Sequence, residues 1–248
     1  MIEGGVALRP RDTGGVVDLG VALLRAEWKR VARGSLPMLA AAFLCALVAW
    51  REDAWLGLGV AWILGRAAHV PVTRALGERA SGAPAAGGLL GDLGRGLGVT
   101  LLVVLGYAAA SCFFPIVFWV AWRSVFLPEV AILERPSSGL LARGSSVSEA
   151  PGAHPLGVVT WLWAADLFGL VAGELSGRAV VGDLLMVTDL FANPDAFEPS
   201  VYGLVGVLAV QPFRAAVRFA GYLDARTRAE ALDVFFALRA AASDGVRR

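Results

Sequence analysis

The chain has 248 residues, of which 57% are hydrophobic and 17% are charged, and its formal net charge is +1. Soluble domains contain about 45–50% apolar and about 25% charged residues, so this composition indicates a membrane protein, and it excludes a disordered chain. So small a net charge argues against nucleic acid as a partner. The two cysteines and two histidines provide neither a disulfide framework nor a metal-ligand set, and we expect no cofactor and no metal.

Charge-poor apolar stretches predict an all-α, polytopic bundle of transmembrane helices. A helix needs about 20 apolar residues to cross the roughly 30 Å of a bilayer core. Such stretches predict six spans, at residues 35–50, 54–72, 97–114, 115–133, 156–173 and 201–222. The spans make up a transmembrane domain over residues 35–222, between a cytoplasmic N-terminal segment at 1–34 and a cytoplasmic C-terminal helix and tail at 223–248.

Residues 97–133 allow two interpretations. One continuous helix from residue 97 to residue 134 would be about 57 Å long, nearly twice the thickness of a bilayer core. Pro115 lies in the middle of this stretch and removes a helix hydrogen bond. We therefore predict two spans joined by a tight turn; the alternative is one long, tilted helix that leaves the membrane near Arg123.

The distribution of basic residues predicts the orientation. With six spans and a cytoplasmic N-terminus, 20 of the 22 Lys and Arg residues fall on the cytoplasmic side. This bias follows the positive-inside rule and predicts that both termini are cytoplasmic. A single Lys beside abundant Gly, Ala and Arg suggests a GC-rich bacterial genome, so we expect a multi-pass protein of the bacterial cytoplasmic (inner) membrane.

Residues 16–33 carry apolar side chains at helical spacing on one face and basic side chains on the other. The pattern predicts an amphipathic helix that lies on the inner membrane surface; the alternative is the solvated start of the first span. Trp28 is expected at the headgroup level, and the basic face consists of Arg25, Lys29, Arg30 and Arg33.

Burial of polar residues within the predicted spans is costly and usually marks a function or a partner, and three such residues are candidates for one site. Asp166 lies about 15 Å into the fifth span from the inner side, and Arg123 about 12 Å into the fourth span from the outer side. The two depths are similar, so we expect an Arg123–Asp166 ion pair with Gln211 nearby. The pair is either a functional polar site or a structural contact that fixes helix packing.

Two further patterns predict helix contacts. Gly169 and Gly173 form a GxxxG pair in the fifth span, a spacing that lets helices approach closely, and the same spacing recurs at Gly94 and Gly98. Beyond the sixth span, side chains of opposite charge four residues apart support a continuing helix. These pairs are Asp224 with Arg228, and Arg226 with Glu230.

Motifs of catalysis are missing from the sequence, which contains no HExxH, Walker A, GxGxxG or GxSxG pattern. We interpret His69 and His154 as interfacial residues. An intramembrane carboxylate dyad of Asp166 and Asp183 is an alternative, but Asp183 falls in a predicted outer loop and no supporting motif surrounds either residue. We therefore predict that the protein is not an enzyme.

Two stretches resemble a known family. Residues 122–134 read WRSVFLPEVAILE and precede LLAR at 140–143, and residues 222–233 read YLDARTRAEALD. They resemble bacterial six-span proteins related to the membrane domain attached to some glycerophosphodiester phosphodiesterases. Ile116, Gly144 and Ala231 depart from that pattern, which has glycine, serine and glycine there. The resemblance covers about the second half of the chain and implies a membrane module without hydrolase activity, because the phosphodiesterase domain is absent.

These observations favour a non-catalytic integral membrane subunit that acts as a scaffold or anchor in a larger assembly. Its expected partners are the lipid bilayer and other membrane or cytoplasmic subunits. The alternative is the permease subunit of a transporter, such as an ABC-type exporter, which would need a separate ATPase because this chain has no nucleotide motif.

Overall fold

The structure is a computed structural model that describes residues 11–81, 87–184 and 198–246, with the side chains of Phe114, 182–184 and 231–246 excepted. These residues form helices and no strand. Residues 1–10 of the predicted N-terminal segment, the side chain of Asp183 and the side chains of the C-terminal tail lie outside the described part. The helices are α1 (Thr13–Ala26), α2 (Trp28–Glu52), α3 (Ala54–Gly65), α4 (His69–Ser81), α5 (Leu89–Ala110), α6 (Phe114–Ser124), α7 (Leu127–Glu129), α8 (Leu140–Ser148), α9 (Pro155–Gly177), α10 (Val201–Ala209) and α11 (Gln211–Val246).

Six helical segments are long and apolar enough to cross a membrane, which confirms the predicted all-α, six-span architecture. In chain order these spans 1 to 6 are Trp28–Glu52, Ala54–Ser81, Leu89–Ala110, Pro115–Glu134, Pro155–Val181 and Val201–Glu230. Most of them extend beyond the predicted apolar stretches, because charged residues near their ends pair with each other inside the bundle. Span 3, for example, begins at Leu89 and includes Asp92. This residue pairs at 2.7 Å with Arg135, which directly follows span 4.

The stretch at 97–133 forms a hairpin, as predicted, and not one long helix. α5 ends at Ala110, and α6 begins at Phe114 after a turn in which the amide of Phe113 donates to the carbonyl of Ala110 at 3.0 Å. Pro115 occupies the first turn of α6, where its missing N–H leaves no helix hydrogen bond unmade.

Span 6 is the centre of the bundle. In its most apolar window 72% of the residues are buried, against 22–50% in the other spans. Its Phe219 and Tyr222 are fully buried, and they pack with residues of α1, α4 and α6 in the two largest core clusters. Polar side chains on this helix therefore face protein rather than lipid.

The predicted amphipathic helix at 16–33 is two helices, which corrects the prediction of one. α1 ends at Ala26, and α2 begins at Trp28 as the start of span 1. α1 packs on the chain's own span 6, because Gly20 has no Cβ and a Cβ there would lie 2.9 Å from the Val217 Cα. Arg25, Trp28, Lys29, Arg30 and Arg33 are exposed, and Arg30 pairs with Glu78. Contact of this face with lipid headgroups stays a prediction.

Spans 5 and 6 touch through glycines. A Cβ on Gly169 would lie 2.7 Å from the carbonyl oxygen of Gly206, and one on Gly173 would lie 2.8 Å from the Gly206 Cα. The structure thus places the predicted Gly169–Gly173 pair at a backbone-to-backbone contact of α9 with α10. Gly94 and Gly98 instead have open space where a Cβ would be.

Candidate functional site: an intramembrane arginine cluster

Three of the six spans are interrupted at a proline. Pro71, Pro128 and Pro212 lack the N–H that would bond the carbonyl four residues earlier. Accordingly span 2 tightens into a 3₁₀ turn at Arg66–Ala68, span 4 changes to a π-helical turn at Val130–Glu134, and span 6 is divided into α10 and α11. Charged or polar side chains lie near each break, and the structure brings them together with Asp166 of span 5. We call this group the arginine cluster, and it consists of Arg66, His69, Glu129, Asp166, Gln211, Arg214 and Arg218.

Asp166 is the connection between three spans. Arg214 in span 6 donates from Nη1 to Asp166 Oδ1 at 2.7 Å, and Trp62 in span 2 donates from Nε1 to Asp166 Oδ2 at 2.8 Å. The Arg214 side chain is only 8% exposed. An ion pair so removed from water is held by its geometry and by the second hydrogen bond on the carboxylate.

A second buried ion pair links spans 4 and 6. Arg218 donates from Nε to Glu129 Oε1 at 2.6 Å, and Glu129 is completely buried. Glu129 directly follows Pro128 at the start of the π-helical turn, so the interruption of the helix directs the carboxylate inward. Arg214 and Arg218 lie one helical turn apart on the same face of α11.

Arg66 is the third guanidinium of the cluster. It opens the 3₁₀ turn of span 2, and its guanidinium carbon lies 3.7 Å from the centroid of the Trp62 ring, a cation–π contact. Its backbone carbonyl faces the His69 Nδ1. Within the described part of the chain, Arg66 forms no ion pair with a carboxylate.

Two small cavities lie against the arginines. The larger, of about 30 Å³, is bounded by Arg66, Arg214 and Arg218 together with Tyr107 and Ser124. The smaller, of about 10 Å³, is bounded by the same three arginines with His69 and Gln211. The larger has room for about two water molecules and the smaller for at most one.

The cluster carries more positive than negative charge. Three guanidinium groups face two carboxylates, and several buried atoms have no hydrogen-bond partner among the described residues. These atoms include the Nε of Arg66, the Nε of Arg214, the Nη2 of Arg218, the Nε2 of His69 and the Oε2 of Glu129. Buried polar atoms without partners are rare and costly, so this cluster is the strongest candidate site in the described structure.

The structure contradicts the predicted Arg123–Asp166 pair. Arg123 Nη2 lies 2.6 Å from Glu149 Oε1, and its side chain is 44% exposed. The physical reason is that α6 ends at Ser124 and α8 carries Glu149 back to the end of that helix, where Arg123 also stacks on Trp119 at 4.9 Å. Asp166 pairs with Arg214 instead.

Gln211 does lie beside Asp166's partner, as a member of the cluster. Its Nε2 donates to the Val207 carbonyl at 2.9 Å, within its own span. Arg66, Glu129, Arg214 and Arg218 were not identified as site residues from the sequence. A usable signal is present in the sequence, because each lies within six residues of a proline in an otherwise apolar span.

A separate polar network lies toward the predicted inner side. Asp92 is buried and pairs with Arg74 and Arg135. Tyr222 donates from its hydroxyl to Glu134 Oε1 at 2.7 Å, and Glu134 also accepts from Arg143 at 2.5 Å. The hydrogen bond to Glu134 raises the pKa of Arg143 above its ordinary value.

The C-terminal charge pairs are present as predicted. Arg226 bonds Glu230, and Arg228 Nε donates to Asp224 Oδ2 at 2.8 Å. Asp224 also accepts from the backbone amide of Arg11 at 2.8 Å, and Arg228 donates to the carbonyl of Arg11 at 2.6 Å. One of the two pairs therefore also holds the segment before α1 against span 6.

Among the described residues, no group of three or more His, Cys, Asp or Glu side chains is placed to hold a metal ion. Compared with known proteins, the chain matches no family model, and neither a curated protein nor a solved structure is significantly similar to it. The function is therefore inferred from the geometry of the bundle.

Proposed function

We propose that the protein is a non-catalytic integral membrane subunit that serves as a scaffold or anchor for other membrane chains. The observation that carries this proposal is the set of polar bonds between its own spans. Asp166 connects spans 2, 5 and 6, and Glu129 connects spans 4 and 6. Bonds of this kind hold helices in one arrangement, which is what a rigid support for partner chains requires.

The surface best suited to a partner is a groove on the membrane-facing side, which we call the tryptophan groove. It has a volume of about 500 Å³, and its lining includes Trp55, Trp62, Trp163, Asp166 and Leu167. Tryptophan is enriched at the energetically dominant positions of protein interfaces. The groove accommodates several apolar side chains of a neighbouring membrane-spanning helix, and the Trp62–Asp166 hydrogen bond joins two of its lining residues.

Site-specific photo-cross-linking in the native membrane tests this proposal. The probe replaces Leu167, which is 63% exposed at the groove, and in a matched control it replaces Val48, which is 69% exposed on span 1. We expect a discrete protein adduct from position 167 and none from position 48. Absence of a protein adduct at 167, or the same adducts at both positions, would contradict a partner at the groove.

A transport subunit is the second candidate, and the interrupted helices favour it. Breaks in three spans meet at a charged cluster in the membrane interior, where irregular backbone is tolerated only in protein or beside a cavity. Discontinuous helices are a common feature of substrate sites in transporters. In this function the chain would work with a separate ATPase, as in the membrane subunits of exporters.

The paired variant Glu129→Gln with Arg218→Gln separates the two functions. It removes both charges and leaves the lipid-facing surface unchanged. The Asp166 bonds to Trp62 and Arg214 still join spans 2, 5 and 6 in this variant, so a scaffold retains both its cross-linked partner and the activity of the assembly. A transport subunit retains the partner but loses nucleotide-driven activity of the purified assembly.

We further propose a bacterial inner membrane location with both termini cytoplasmic, on the basis of the arginine distribution. The resemblance to membrane domains of glycerophosphodiester phosphodiesterases supports a membrane module, and it adds no hydrolase chemistry to the proposal.

A further inference from the structure

The arginine cluster holds an excess of positive charge that the scaffold proposal does not explain. Asp166 compensates Arg214 and Glu129 compensates Arg218 by direct ion pairs. Arg66 remains: its direct contact among the described residues is the face of Trp62, and Asp166, whose charge also attracts it, is already paired with Arg214. A charge in the membrane interior without a counter-charge is expensive, so the arrangement requires compensation by something other than these side chains.

The guanidinium nitrogens that lack hydrogen-bond partners show where a compensating negative charge would lie. Arg66, Arg214 and Arg218 each have one buried guanidinium nitrogen without a hydrogen-bond partner, and the same three residues border both cavities. More than nine-tenths of the Arg214 side chain is buried. The three side chains come from two spans and are positioned by the breaks before Pro71 and Pro212, so the site is part of the fold and not a surface patch.

We propose that Arg66, Arg214 and Arg218 form a binding site for one small inorganic anion with a single negative charge, for which chloride is the appropriate probe. The charge follows from three guanidinium groups facing two carboxylates. The size follows from the cavities, of which the larger is about 30 Å³, comparable to the space of one or two water molecules. A space of this size favours a monatomic anion over multivalent oxyanions and organic acids. The inference goes beyond the proposed function and does not depend on it.

Thermal unfolding of the purified full chain in mild detergent provides the test. The protein is prepared in gluconate buffer and titrated with chloride at constant ionic strength and pH. A ligand that binds the folded state raises the Tm as its concentration exceeds its Kd. We expect the Tm to rise with chloride and to stay unchanged with sulfate or acetate. No dependence on chloride, or an equal response to sulfate, would overturn the proposal and leave the cavities to water.

Two arginine variants test whether chloride binds at this site. Arg66→Gln removes the uncompensated charge, so its Tm in gluconate should equal or exceed that of the original protein, and its apparent chloride affinity should fall at least tenfold. Arg123→Gln is the matched control, because Arg123 also stacks on a tryptophan but is exposed and paired with Glu149. It should keep the original chloride affinity. An unchanged affinity in Arg66→Gln would contradict the site.

A bromide-soaked crystal of the unaltered protein gives an answer that needs no variant. Bromide carries the same charge as chloride and has an anomalous signal. We expect a peak within hydrogen-bond distance of guanidinium nitrogens of Arg66 and at least one of Arg214 and Arg218. Bromide bound only elsewhere would overturn the assignment, even if chloride raised the Tm.

Discussion

Asp166 of span 5 and Arg214 of span 6 form a buried ion pair, with 2.7 Å between Asp166 Oδ1 and Arg214 Nη1. Inside a bundle, such a pair adds less stability than its Coulomb attraction suggests, since both ions lose their hydration. Removing only one partner is much more costly, about 3–5 kcal/mol, because the other charge is then buried alone. Because of this asymmetry, substitution of one interior charge should have a large and measurable effect on the stability of the protein.

Glu129→Gln should destabilise the protein by about 3–5 kcal/mol, because Arg218 loses its buried counter-charge. The surface variant Glu149→Gln breaks the Arg123 pair, whose two side chains are both around two-fifths exposed, and should cost at most about 1 kcal/mol. Denaturant titration in detergent micelles measures both. Equal costs for the two variants would mean that the Glu129–Arg218 bond is not shielded from solvent.

Gly173→Ala should cost about 1–3 kcal/mol, because the new methyl group meets backbone. Its Cβ would lie 2.5 Å from the carbonyl oxygen of Tyr202, on the neighbouring helix of span 6. The matched control is Gly98→Ala, which belongs to the other GxxxG pair but has open space around it. The control should be neutral or stabilising by about 0.5–1 kcal/mol, since alanine is the better helix former. If both variants behave alike, the close contact of α9 with α10 is wrong.

The number of spans and the hairpin at 97–133 were predictable because hydrophobic length and a proline position determine them locally. The partner of Asp166 was not, because depth along a span does not tell which face of a helix a side chain occupies. Arg123 has a suitable depth but lies at the end of α6, near Glu149. Arg214 lies within the predicted sixth span at 201–222, but the sequence does not show that its side chain faces span 5.

Glycine motifs show the same limit. The sequence contains Gly94–Gly98 and Gly169–Gly173 at one spacing, and only the second pair meets another backbone. Spacing predicts that a helix face is flat, whereas the neighbour that covers it depends on the arrangement of all six spans. The break at Glu27 was equally hidden, because apolar periodicity continues through it while α1 turns onto span 6.

Asp224→Ala should loosen the N-terminal part of the protein. It removes the acceptor for the Arg11 amide and for Arg228, at a cost of about 1–3 kcal/mol for buried donors left unpaired. Hydrogen exchange should show faster exchange in α1 and little change in α9. Glu230→Ala breaks the more exposed pairs with Arg226 and Arg143, neither of which involves Arg11, and it serves as the control. The same acceleration in both variants would argue against this attachment.

Cysteine labelling tests the orientation. After Cys45 and Cys112 are replaced, single cysteines are introduced in place of Glu52, at the end of α2, and Ser146, in α8; both positions are exposed. With cytoplasmic termini, a membrane-impermeant maleimide should label position 52 from outside intact cells and position 146 only after lysis. Labelling of position 146 from outside would reverse the predicted orientation.

The interior ion pairs that join the spans are tested most directly by a double-mutant cycle on Asp166 and Arg214. Asp166→Leu and Arg214→Leu should each destabilise the protein by about 3–5 kcal/mol, and the double variant should recover much of the loss. A parallel cycle on Asp166 and Arg123 should be additive, because those residues do not touch. Additive losses for Asp166 and Arg214, or coupling between Asp166 and Arg123, would contradict the arrangement of spans 5 and 6 on which the proposed scaffold depends.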